Sequence, residues 1–236
     1  MYSSFYAAAR GVIAQQQKLD VTANNLANIN NYGYKNKSVS FSNLMYYNMN
    51  NQYGQDTAMK AGTGVKVEMT NTDFTPEAYT ETDGAYDFAI GGKGFFRLVN
   101  PSSDAVTYTR NGHFSLSLQG NQFYLVNDAG NRVCDRNGNP VIVNNGTFSG
   151  EIGIYQFNIT DGMQSVGDNE FAPTAKNGTP FLVQDGKLIR HALETSGVDM
   201  AEEMTKVIES QRAYSYALRM VQTSDEIVNT VNSLRQ

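Results

Sequence analysis

Two glycine-rich loops, two histidines and one cysteine are the places where this chain of 236 residues has side chains suited to catalysis or metal binding. Gly91-Gly92-Lys93-Gly94 superficially evokes a phosphate loop, but that loop needs a longer glycine span and Ser or Thr after the lysine, where this chain has Gly94 and Phe95. A tight strand connection fits the segment better. Asp135-Arg136-Asn137-Gly138-Asn139 resembles a calcium loop until its glycine is counted at the fourth position rather than the sixth, with no glutamate at the twelfth. It reads as a turn. His113 and His191 have no Cys or His at ligand spacing, and Cys134 has neither a disulfide partner nor an activating context. No serine stands in a Gly-x-Ser-x-Gly elbow. The sequence therefore offers no catalytic, cofactor-binding or metal-binding residue, and no cofactor is expected.

The other notable polar grouping is an amide cluster. Asn24, Asn25 and Asn28 fall within two turns of a helical pattern, where asparagine is a poor helix former unless its amide finds a partner. Asn24 and Asn28 are spaced to share a face. Such amides fix register between packed helices or else belong to a solvated, fraying last turn; the spacing fits both. Gln211 stands in a comparable position near the other terminus.

The elements that must carry these groups are helical. Phe5, Ala9, Val12, Gln16, Leu19, Ala23 and Leu26 recur in steps of four and three, as do Met200, Met204, Val207, Gln211, Tyr214, Leu218, Val221 and Val228, interrupted by Asp225. Any globular helix shows such a stripe. Here neither stripe has an apolar partner nearby in sequence, so the two ends must pair with each other or with neighbouring copies. Gly33 lies where a left-handed C-cap would close the first helix, and Ser196, with Asp199 three residues on, opens the last.

Between them the pattern changes to short alternating runs: Phe114, Leu116 and Leu118; Phe123 to Val126; Val141 to Val143; Ile152 to Phe157. Asn111-Gly112, Asn127-Asp128-Ala129-Gly130 and Asn137-Gly138 punctuate them, which predicts an antiparallel β domain with Asn111-Gly112 as a hairpin turn. Residues 48–80 read as an extended connector whose Val65 and Val67 alternate as a short strand. A net charge of -5 with scattered Lys and Arg leaves no footprint for nucleic acid, and no apolar run nears the roughly 20 residues that insertion across a membrane requires. The first residues lack a cationic segment, so a cleaved signal peptide is not expected.

Leu19-Asp20, Ala23-Asn24-Asn25-Leu26-Ala27-Asn28 and Gly33-Tyr34-Lys35 together resemble the N-terminal signature of the flagellar basal-body rod and hook proteins. Tyr86-Asp87-Phe88-Ala89-Ile90, Gly94-Phe95-Phe96 and Tyr108-Thr109-Arg110-Asn111-Gly112-His113-Phe114 are similar to that family's β domain. Leu193-Glu194-Thr195-Ser196-Gly197-Val198-Asp199, Gln211-Arg212-Ala213-Tyr214 and Gln222-Thr223-Ser224-Asp225-Glu226 resemble its C-terminal signature. Gly197 and Asn31-Tyr32 depart from the usual pattern, as does the run from Ser215 to Leu218.

The resemblance implies an α+β fold in which the N- and C-terminal helices form a coiled-coil axial domain and a central, mainly antiparallel β domain faces outwards. The corresponding segments are 1–47 and 196–236 for the axial helices, 48–80 and 182–195 for the connectors, and 81–181 for the β domain. It implies a non-enzymatic rod subunit, the short chain favouring rod over hook, exported by the flagellar type III apparatus. Its partners are copies of itself and other rod and hook proteins, in a hollow shaft that transmits torque. A hook-type subunit and a secreted β-rich adhesin are the alternatives. The residues expected to make subunit contacts are Leu19, Asn24, Asn25, Leu26, Asn28, Met204, Val207, Gln211, Tyr214, Leu218 and Val221. Without neighbours the terminal helices are expected to be partly disordered.

Overall fold

A computed structural model describes residues 2–50, 56–144, 146–184 and 186–234. The chain divides into two compact units: residues 1–27, 37–71 and 199–236 make the first, and 28–36 with 72–198 the second. Both chain ends therefore fold into the same unit. The stretch from 48 to 80, expected as a connector, is shared between the units and carries strands.

The first unit is built on two helices, α1 (Tyr2–Ala27) and α2 (Met200–Ser233). Asp199, not Ser196, caps α2: its carboxylate accepts from the N–H groups of Ala201 at 2.8 Å and Glu202 at 3.2 Å. Glu202 and Glu203 follow in the first turn, where negative charge meets the positive end of the helix dipole. The helices run antiparallel, since Asn25 meets Glu203, Lys18 reaches Glu209 at 4.0 Å, and Gly11 faces Ala217. Two antiparallel ribbons complete the unit. Lys37–Asn43 pairs with Val65–Thr72, the strand foreseen from Val65 and Val67, and Tyr46–Asn50 pairs with Asp56–Gly62.

The second unit centres on a nine-stranded sheet, counted over the described residues. Along its main path the strands run Gln164–Gly167, Glu170–Ala172, Val106–Thr109, Phe95–Val99, Arg132–Val133, Gln122–Val126 and Ser115–Gln119, paired antiparallel. Strand period decides the core. Phe96 and Leu98 enter one cluster with Phe88, Phe114, Leu125 and Val133, while Phe95 points to the other face among Tyr108, Tyr155, Phe157 and Phe171. Both faces of the central strand are thus buried.

Two local expectations meet different outcomes here. Asn111-Gly112 is not a hairpin turn: the strands on either side pair with other partners, and the chain instead presses Gly112 against Phe88, whose N–H donates to the Gly112 carbonyl at 3.1 Å. A Cβ at Gly112 would lie 1.6 Å from the Phe88 carbonyl oxygen, so the glycine serves a close backbone approach. The hairpin turn lies at Gly120-Asn121, with Gly120 at φ 68° joining Ser115–Gln119 to Gln122–Val126. By contrast, Asp135-Arg136-Asn137-Gly138 is the turn expected of it, with Asp135 Oδ1 accepting the N–H groups of Asn137 and Asn139, each at 2.8 Å.

Where the chain enters and leaves the second unit, a buried charge triad ties the crossings together. Glu194 accepts from Lys35 Nζ and Arg110 Nε, both at 2.7 Å, and from the Glu77 N–H at 2.9 Å. All three charged side chains are essentially inaccessible to water. Lys35 also donates to the Thr75 carbonyl, and Arg110 Nη1 donates to the carbonyls of Gly92 and Gly94 at 2.8 and 2.7 Å. The loop that superficially evoked a phosphate site therefore aims carbonyls at an arginine, the reverse of a phosphate cradle. Burial lowers the Lys35 pKa, against the attraction of Glu194. Backbone bonds from Gly33 to Glu194 and from Gly197 to Tyr34, at 2.8 and 2.9 Å, close the same knot.

Candidate functional site

The residues expected to make subunit contacts all lie on or beside the two terminal helices, but the face that packs inside the chain differs from the one expected. Along α1 the residues withdrawn from water are Ala14, Thr22 and Asn25, on a stripe with Gly11 and Lys18. Along α2 they are Glu203 and Ser210, and the half-buried Val207, Tyr214, Ala217, Val221, Ser224 and Val228 continue that stripe in steps of four and three. Of the expected C-terminal seam, Val207, Tyr214, Val221 and Val228 lie on this inner stripe and Met200, Met204, Gln211 and Leu218 do not; Glu203, Ser210, Ala217 and Ser224 hold the intervening positions. Met204 and Gln211 are exposed and Leu218 is half-buried.

Side-chain size explains the shift. Glycine, alanine and serine let two backbones approach, and a Cβ added at Gly11 would rest 3.9 Å from the Ala217 Cβ. A hydrophobicity pattern scores the large residues and misses the small ones that make the contact. In α1, Leu19 and Leu26 are half-buried flanks, whereas Gln16 and Ala23 of the expected seam are exposed.

The three amides separate. Asn25 is 1% exposed; its Nδ2 donates to the Lys37 carbonyl at 2.7 Å and to Glu203 Oε2 at 3.1 Å, and its Oδ1 accepts the Lys37 N–H at 3.0 Å. It stitches α1 to α2 and to the strand that follows. Glu203 in turn accepts from Lys206 Nζ at 2.7 Å. Burial opposes the charge on Lys206, but bonds and attraction from Glu202 and Glu203 outweigh it and raise its pKa. Asn24 is exposed. Asn28 lies past the helix end at Ala27, so the shared helical face expected of Asn24 and Asn28 does not form. The Asn28 side chain accepts from Asn31 Nδ2 at 2.7 Å and its carbonyl accepts from Ser196 Oγ at 3.0 Å. Gly33, at φ 66°, is left-handed as foreseen but sits six residues beyond the helix, against the backbone of Asn111.

Among the polar and charged residues that the helices leave outside stand several large apolar ones. Ile13, Met200, Met204, Ile208, Tyr216 and Met220 are each roughly half exposed or more. Such a surface can hold other helices by burial; it carries no reacting groups.

Three family models match along the chain: the flagella basal body rod protein over residues 5–35, the flagellar hook protein FlgE/F/G D1 domain over 89–167, and the flagellar basal body rod FlgEFG protein C-terminal over 189–234. The chain is 31% identical to the flagellar basal-body rod protein FlgG of Buchnera aphidicola subsp. Schizaphis graminum, covering 99% of this chain and 100% of the relative. To FlgG of Caulobacter vibrioides it is 30% identical over 97% of each chain. The chain belongs to the flagellar basal-body rod protein family. It is a structural rod subunit. FlgF of Caulobacter vibrioides, also a basal-body rod protein, is 30% identical over 96% of this chain.

Lys35 and Glu194 stand within the family signatures with no role legible there, Glu203 is legible only as a charge at the helix start, and nothing local marks Ser210. No local pattern marks a pair 159 positions apart in sequence. The signal available for the helices was the run of Gly, Ala, Ser and Thr at the 3,4 spacing, which a count of small residues on each face would have found.

Proposed function

We propose that this rod subunit assembles through its terminal helices, α1 and α2 serving as a coiled-coil axial element that packs against copies of itself and against other rod and hook proteins. Residues 1–47 and 196–236 would supply that element, 48–80 and 182–195 the connectors, and 81–181 the outward β domain. The stacked product is a hollow shaft of the flagellar basal body that passes torque from motor to hook, its subunits delivered by the flagellar type III apparatus. Leu19, Leu26, Leu218 and Val221 flank or join the inner stripe, while Asn24, Asn28, Met204 and Gln211 are the polar and apolar groups offered to neighbours.

The observation that supports the reading is the set of large apolar residues, Met204, Ile208 and Met220 among them, left exposed on the terminal helices. An exposed stripe of this kind marks an interaction surface. Burying each outward Met or Ile against a neighbour contributes about 1.5–3 kcal/mol, enough for a many-membered shaft to hold by repeated contacts.

Ile208→Asp tests it. Ile208 is 53% exposed, so the isolated chain should keep its fold and its thermal stability. Assembly places the carboxylate in an apolar contact, where an unpaired charge is costly. Cells carrying the change should be non-motile and lack intact rods; normal swimming with a normal number of basal bodies would remove this face from the assembly.

A further inference from the structure

In the second unit a cavity of about 510 Å³ opens between the 28–32 segment and the turns at one end of the sheet. Its volume lies in the range of small-molecule sites. Its lining is unusual in kind. Amides dominate it, with Asn30, Asn111 and Asn169 among them; two carboxylates, Asp128 and Asp168, a phenol, Tyr32, and an imidazole, His113, complete the polar wall, with no Lys, Arg or aliphatic side chain.

These groups are held in place from behind. Asp87, whose side chain is 6% exposed, accepts from the Thr82 hydroxyl at 2.6 Å on one oxygen and meets His113 Nδ1 at 2.9 Å with the other. A carboxylate only accepts, so Nδ1 donates to Asp87 and the ring is held in one orientation. The Asn111 side chain is fixed by the His113 N–H at 3.0 Å, and Asn169 Nδ2 donates to the Tyr32 carbonyl at 3.3 Å. Asp168 and Asn169 form a turn in which both residues have positive φ, 48° and 58°. Glycine would hold that turn at no steric cost, yet the sequence places a carboxylate and an amide there.

Chemistry narrows the ligand. The absence of cationic lining and the presence of two carboxylates disfavour an anion. Among the described residues no cluster of three or more His, Cys, Asp or Glu exists that would hold a metal. No aliphatic wall receives an apolar body. What remains is a neutral molecule with many groups that both donate and accept, because amides do both, carboxylates accept, a hydroxyl suits the second imidazole nitrogen as donor or acceptor, and the half-exposed Tyr32 ring gives a flat apolar face. We propose that this cavity binds a neutral saccharide, its hydroxyls read by Asn111, Asn169, Asp128 and Asp168 and its ring face resting on Tyr32. His113, oriented by Asp87, bonds one hydroxyl through its second ring nitrogen.

The test is titration of the full-length, ¹⁵N-labelled chain with maltotriose and with tri-N-acetylchitotriose, followed by calorimetry and by the side-chain amide resonances of Asn111 and Asn169. Expected is saturable binding of at least one sugar, with a dissociation constant of millimolar order or below and shifts confined to the cavity. Tyr32→Ala, at an exposed position, should keep the wild-type unfolding temperature, His113→Ala should lower it because Asp87 loses a partner, and each should weaken binding by about tenfold. No saturable binding of either sugar would overturn the proposal. So would binding that both variants retain, or saturable binding of spermidine lost in Asp128→Asn with Asp168→Asn, which would assign the cavity to organic cations.

Discussion

Glu194→Ala should be among the most damaging single changes in the β unit, for a reason that arithmetic on charges makes specific. The triad holds two cations, Lys35 and Arg110, around one anion, all nearly inaccessible to water. Removing the anion strands both cations and the partly buried Glu77 N–H. Breaking a buried ion pair from one side costs ~3–5 kcal/mol, and an orphaned N–H adds ~1–3, so a loss of about 4–6 kcal/mol is expected for the overlapping effects. Against a total of roughly 5–15 kcal/mol this is a third or more of the fold's stability, and it lowers the unfolding temperature by roughly 10–20 °C. Lys35→Met should behave differently. It leaves Glu194 and Arg110 as a one-to-one pair and removes an ammonium whose burial already lowers its pKa, so its cost should be well below that of Glu194→Ala. In the Glu194→Ala background, Lys35→Met should be neutral or restoring, since it removes a stranded charge. Calorimetric unfolding of the two single variants and the double measures this directly. Equal costs for the single changes, or a double variant whose loss is the sum of the two, would refute the triad as an energetic unit.

Two further outcomes follow from single residues. Burial pushes the Cys134 thiol up to about 11 from 9.0, so between those pH values the unfolded chain binds fewer protons and stability falls as pH rises, by about 3 kcal/mol in all. Tyr108 and Tyr155, raised by burial, act in the same direction, and Lys35 acts oppositely, so the comparison that isolates the thiol is the alkaline slope of denaturant-measured stability in wild type against Cys134→Ala. Equal slopes would dismiss the buried thiol as the cause. The second concerns the amides: Asn25→Ala should destabilise the monomer by ~1–3 kcal/mol because it removes a partner from the Lys37 backbone and from Glu203, whereas Gln16→Ala, at an exposed helical position, should leave the monomer unchanged or slightly stabilised. Matched urea unfolding midpoints for the two variants would show that Asn25 is not the internal stitch.

The legible part of this protein is what local period and turn chemistry encode. Alternation at Phe114 to Leu118 and from Phe123 to Val126 marks the strands paired as Ser115–Gln119 and Gln122–Val126, and Asp135 with Gly138 marks a real turn. Asn111-Gly112 misled because the same dipeptide that permits a two-residue turn also permits a backbone to pass within contact of another, and only the Phe88 carbonyl, distant in sequence, tells the two apart. The α2 register was half legible for a related reason. Val207, Tyr214 and Val221 lie on the stripe under either reading; the choice between Met204 and Glu203, or Leu218 and Ala217, depends on how close α1 comes, and Gly11 and Ala14 set that distance. The polar cavity draws its lining from segments scattered between residues 28 and 169, so no window of sequence contains it.

The energetics of the helix pair bear on why a rod subunit would be built this way. Gly11, Ala14, Ser210 and Ala217 add little apolar area to the contact, Val207, Tyr214 and Val221 are only half-buried in it, and the Ser210 hydroxyl has no hydrogen-bond partner among the described residues. At ~25 cal/mol per Å² such an interface contributes less than the same length of Leu-on-Leu packing would. The specificity of the pairing rests instead on Asn25 and Glu203, which are satisfied in one register and stranded in any other. Asn25 and Glu203 therefore specify the pairing that burial stabilises. On the proposed assembly, covering the outward Met and Ile residues would add a further apolar gain and stiffen a helix pair already in register, which would couple the order of the shaft to its assembly.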